Sequence, residues 1–80
     1  MNQEFSSWLK LSKGFSEAAA KDVKSRFKRV LSICQFEDRG DVSTTLFILS
    51  QQEIFKNLSV SVRSQLRRSV KLYDEYISSQ

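Results

Sequence analysis

Residues 16–34 read SEAAAKDVKSRFKRVLSIC. Ser16 places a hydroxyl where a helix would start, and Glu17 puts a carboxylate in the first turn, where it complements the helix dipole. From there Val23, Phe27, Val30, Leu31 and Cys34 recur at i, i+4, i+7, i+8 and i+11, the apolar stripe of an amphipathic helix. Lys21, Lys24 and Lys28 repeat at i, i+3 and i+7 on a neighbouring face, and Arg26 and Arg29 lie on the other flank. The pattern predicts a helix that ends near Gln35.

Before it, Phe5, Trp8, Leu9 and Leu11 have the spacing of a short amphipathic helix with Asn2 as its N-cap. Ser12-Lys13-Gly14-Phe15 is read as a break, because Gly14 can take the left-handed conformation that ends a helix. After it, Glu37-Asp38-Arg39-Gly40-Asp41 is a polar loop. Val42–Leu49 is apolar with β-branched residues at its start, which by itself suits a strand. A lone strand has no partner in this chain, so the segment is expected to be a helical turn leading into the next helix. Ser50-Gln51-Gln52-Glu53 matches a capping box, with Ile54, Phe55 and Leu58 as the buried side beyond it. Ser59 or Ser61 caps the last helix. Its stripe is Val62, Leu66, Ser69/Val70, Tyr73 and Ile77, flanked by Arg63, Arg67 and Lys71 at i, i+4 and i+8. Ser64 and Arg68 lie one step further round.

The 80 residues suffice for one domain with a modest core. Proline is absent and glycine occurs twice, which favours helices joined by few breaks. The fold class expected is therefore all-α, a small bundle of four to five helices forming a single domain over 1–80. Histidine is absent and Cys34 is the sole cysteine. A zinc site from Cys and His ligands, a Ser-His-Asp relay and an intrachain disulfide are all excluded. No metal and no cofactor is expected. Cys34 is read as a buried thiol. No apolar run has the length of a membrane span and no signal peptide is visible, so the expected setting is intracellular, in the cytoplasm.

The net charge is +4, and its distribution is uneven. Residues 10–29 hold seven Lys/Arg against Glu17 and Asp22, a balance of +5. Residues 56–71 hold Lys56, Arg63, Arg67, Arg68 and Lys71 with no acid, again +5. Between them, residues 30–55 set Arg39 against Glu37, Asp38, Asp41 and Glu53, a balance of −3. Like charges at i, i+4 disfavour an isolated helix, and a nearby polyanion offsets that penalty. Each row also reads as an ordinary solvated face, and both readings stand on the pattern alone. Ser25, Ser61 and Ser64 among the cations are short enough to contact phosphates or base edges, or are plain surface serines. Phe5, Trp8, Phe15, Phe27, Phe47 and Phe55 are assigned to the core by their helical spacing. Tyr73 and Tyr76 are read as packing residues: as nucleophiles they would need activating groups, and no histidine is present.

Phe5-Ser6-Ser7-Trp8-Leu9, Gly14-Phe15-Ser16-Glu17 and the basic helix through Phe27-Lys28-Arg29-Val30-Leu31 resemble the N-terminal core-binding domain of tyrosine recombinases, the phage integrases. The stretch from Ser64-Gln65-Leu66-Arg67-Arg68 to Tyr73-Asp74-Glu75-Tyr76-Ile77 resembles the last helix of that domain. The resemblance spans nearly the whole chain through degenerate motifs. It implies a SAM-like bundle that clamps one side of a DNA duplex while a separate catalytic domain grips the other. Its second and fourth helices would face the major groove. By position that implies Lys21, Lys24, Ser25 and Lys28 on the second helix, and Ser61, Arg63, Ser64, Arg67 and Arg68 on the fourth, where charge periodicity adds Lys71. The family often has Thr where this chain has Ala19, and Tyr where it has Val23; the first difference removes a potential DNA contact.

The partners implied are double-stranded DNA, the catalytic domain of a parent recombinase and, through that parent, synaptic partners. The chain is then an excised domain or a stand-alone relative, and not an enzyme by itself, since it lacks the catalytic Arg, His and Tyr set. The rival expectation is a helical protein-interaction module whose basic face meets an acidic partner. A basic surface for anionic membranes is a further alternative.

Overall fold

The computed structural model describes residues 4–34 and 42–79. Within them lie five helices and no strand: α1 (Phe5–Ser12), α2 (Glu17–Ile33), α3 (Val42–Gln51), α4 (Glu53–Lys56) and α5 (Val60–Ser78). The two long helices, α2 and α5, pack against each other, α1 lies against both, and α3 joins α5 to α4. The all-α bundle expected from the sequence is what forms.

Helix starts follow the hydroxyl caps. Ser16 accepts from the Ala19 N–H at 3.1 Å and Ser59 from the Val62 N–H at 3.2 Å. Of the two caps open for the last helix, Ser59 is the one used. Each such cap stabilises by about 1 kcal/mol. At α1 the N-cap position is taken by Glu4, with no side-chain cap bond; the Asn2 expected there lies outside the described residues, as do Gln35 and the polar loop at 37–41. α2 stops at Ile33, where Cys34 turns extended, slightly before the expected end.

Two expectations are corrected between residues 42 and 58. Val42–Gln51 is a helix in its own right, buried through Thr45 and Leu49 one turn apart, and not merely a turn leading into the next. It runs through Ser50, so no capping box forms. The Ser50 hydroxyl donates to the Phe47 carbonyl at 2.7 Å, and Gln52 stands at the N-cap of α4 without a side-chain cap bond. A Ser hydroxyl has two local uses, and here it bonds back inside its own helix. The single turn of α4 buries Phe55 and leaves Ile54 63% exposed, because one turn can present only one side to the core.

The core joins Phe5, Trp8 and Leu9 of α1 to Ala20, Val23, Phe27 and Val30 of α2 and to Leu66, Val70 and Leu72 of α5; Leu49 and Phe55 close it from α3 and α4. Phe27 stacks on Tyr73 at 4.1 Å between centroids, and Phe5 meets Tyr73 edge-on at 5.1 Å. Tyr76 meets Phe5 at 5.3 Å and Trp8 at 5.7 Å, so both tyrosines pack, as expected. Phe47 does not; it is 65% exposed, and so are Leu11 (74%) and, in part, Leu31. Leu31 sits about 100° round from Val30, beyond the edge of the buried stripe. Ser69 is buried at no cost in unmet polarity, since its hydroxyl donates to the Leu66 carbonyl at 2.7 Å.

Gly14 is the one described position where backbone freedom is required. Its φ of +71° turns the chain back after α1, so the Phe15 N–H reaches the Leu9 carbonyl at 3.1 Å.

Candidate nucleic-acid interface

On α2 the buried residues Ala20, Val23, Phe27 and Val30 fix which side faces out. Lys21, Lys24, Ser25 and Lys28 all fall on the exposed side, with Ser25 one turn from both Lys21 and Lys28. The expected fourth helix is α5. There Ser61, Ser64, Arg68 and Lys71 are exposed and Arg67 is half-buried. The outward arc of α5 thus carries two cations and two hydroxyls with Arg67 at its edge, and the core residues Leu66, Val70 and Leu72 hold it in that orientation.

Arg63 shares the half-buried position of Arg67 and differs from it at the Nε, which is enclosed with no hydrogen-bond partner among the described residues. It is only partly a surface cation, because its position in the turn lies between the outward arc and the core side.

The ion pair found among the described residues is Lys13 Nζ to Glu75 Oε2 at 3.3 Å, at the edge of the bundle. No carboxylate among them lies within ion-pair reach of Lys21, Lys24, Lys28, Arg63, Arg67, Arg68 or Lys71. Among the described residues these cations therefore have no direct counter-ion.

The α5 residues come together as a cleft of about 320 Å³ lined by Ser64, Arg67, Arg68 and Lys71. Both arginines lie over aromatic rings. The Arg67 guanidinium carbon is 5.2 Å from the centroid of Phe55 and that of Arg68 is 5.4 Å from the centroid of Phe15. Phe15 immediately precedes the Ser16 cap of α2, so the basic arc of α5 meets the start of α2 at this ring. The sequence pattern placed Phe15 and Phe55 in the core and missed this second role. Spacing along one helix carries no signal for a contact between elements.

Cys34, at the end of α2, is half-buried, and burial pushes its thiol above the ordinary range. Among the described residues no group of three or more His, Cys, Asp or Glu side chains is placed to hold a metal ion, and no helix is long and apolar enough to cross a membrane.

Comparison with protein-family models, with curated proteins and with solved structures found no match.

Proposed function

We propose that this chain is a double-stranded DNA-binding module, the SAM-like core-binding domain of a tyrosine recombinase, which grips the duplex through α2 and α5. The observation that carries the reading is the cleft on α5, lined by Ser64, Arg67, Arg68 and Lys71, with no carboxylate among the described residues in ion-pair reach of its cations. Such a surface neutralises phosphates and releases their counterions, which gives affinity with weak sequence preference. Lys21, Lys24 and Lys28 add a second row on α2. Ser25, Ser61 and Ser64 are short enough to let the helices approach phosphates and base edges closely. Strand cleavage would belong to a separate catalytic domain of the parent protein, and the present domain would hold the duplex for it.

Charge reversal at both Arg67 and Arg68 tests the reading. Arg67→Glu with Arg68→Glu is expected to abolish detectable duplex binding in a gel-shift or anisotropy assay while leaving far-ultraviolet circular dichroism unchanged. Duplex binding that survives the reversal contradicts the assignment of the site. If the native chain binds no duplex at low salt but does bind acidic polypeptides, the basic face serves a protein partner instead.

A further inference from the structure

We propose that the cleft on α5 is a clamp for one backbone phosphate of the duplex, with Phe15 and Phe55 as positioning residues that set its two guanidinia; this rests on the DNA-binding reading above. Arginine and lysine reach phosphates differently. A lysine offers a point charge on a flexible stem, whereas an arginine offers a planar fork whose value depends on its orientation. On α2 the row is lysine, and among the described residues no ring lies beneath it. On α5 the two arginines of the cleft are each held over a ring, at 5.2 and 5.4 Å, inside the range where the ring face attracts a cation.

The two rings come from different elements, Phe55 from α4 and Phe15 from the turn before α2. Neither ring is among the residues that line the cleft. A ring that meets the face of a guanidinium leaves the in-plane N–H donors of the fork for an anion. Glu75 is engaged by Lys13 at 3.3 Å and is not among the residues that line the cleft. The two ring-held forks, the Lys71 ammonium and the Ser64 hydroxyl line one open concavity and supply the donors that a tetrahedral oxyanion accepts from. Ordering a free arginine costs rotamer entropy on binding; a ring that holds it beforehand removes part of that cost. Phe15 follows directly on the Gly14 turn, whose φ is +71°.

The inference separates ring from charge, and a duplex titration at several salt concentrations separates them too. With the full chain and a random-sequence duplex, Phe15→Leu keeps the apolar bulk and the charge but loses the π face. It is expected to weaken binding about two- to fivefold, the range of an exposed ring–cation contact, with the salt slope unchanged. Phe15→Trp is expected to restore native affinity. Arg68→Gln removes a charge and should reduce the slope by about 0.9. Native affinity in Phe15→Leu overturns the positioning role, as does a Phe15→Trp variant no better than Phe15→Leu. The free protein gives a measurement independent of variant stability. The Arg68 side-chain protons should show an upfield ring-current shift in the native chain, and their absence from that position overturns the assignment. If the native chain binds no duplex, the DNA-binding reading fails first; if it binds and Phe15→Leu binds equally well, only the clamp fails.

Discussion

Replacing Gly14 by alanine tests whether the turn between α1 and α2 is built as described. Gly14 has a φ of +71°, and an added Cβ would meet no atom within 4 Å. The penalty is therefore backbone strain alone. An L-residue in the left-handed region costs about 1–2 kcal/mol. Alanine also narrows the unfolded ensemble, which returns about 0.4–1 kcal/mol. The net loss is about 1 kcal/mol. For a domain of this size that lowers the melting temperature by about 4–8 °C, measurable by circular dichroism. Gly14→Asn should recover part of the loss, because asparagine tolerates the left-handed region better. A Gly14→Ala variant that melts at or above the native temperature refutes the reasoning, since it would mean that the turn does not need positive φ.

Three further outcomes follow from the caps and the thiol. Ser16→Ala should destabilise by about 1 kcal/mol in urea unfolding, since it removes the bond to the Ala19 N–H. Ser50→Ala should stay within about 0.5 kcal/mol, because Ser50 caps no helix and its hydroxyl only bonds back to the Phe47 carbonyl. Burial raises the Cys34 thiol in the folded state, so its contribution to stability is present below the ordinary thiol range and is lost as pH rises through the folded value. The native chain should lose stability on that alkaline side more steeply than Cys34→Ala, as read from denaturant midpoints across pH.

The parts of this fold legible in the sequence are those whose causes are local. The hydroxyls of Ser16 and Ser59 and the stripes of α2 and α5 act within one or two turns, so their spacing reports them directly. Spacing also assigned the outward faces of both helices, and with them the exposed positions of Lys21, Lys24, Lys28, Arg68 and Lys71. The segment from Val42 to Leu58 was less legible for two reasons. Ser50 satisfies a cap signature and an internal back-bond equally well, and only the length of α3 decides between them. Phe47 and Ile54 are apolar residues at plausible helical positions, yet no second element covers them. Arg63 and Arg67 belong to the same row as Lys71 but are drawn partly inward, and the Arg63 Nε is enclosed, which a one-dimensional row does not show. The rings beneath Arg67 and Arg68 come from other elements altogether.

The most direct test of the account is a titration of the native chain with duplex DNA at several salt concentrations. Neutralisation of about four to six phosphates by the α2 and α5 cations predicts a slope of log K against log salt of roughly −4 to −5. No binding at low salt, or binding with a slope near zero, contradicts it.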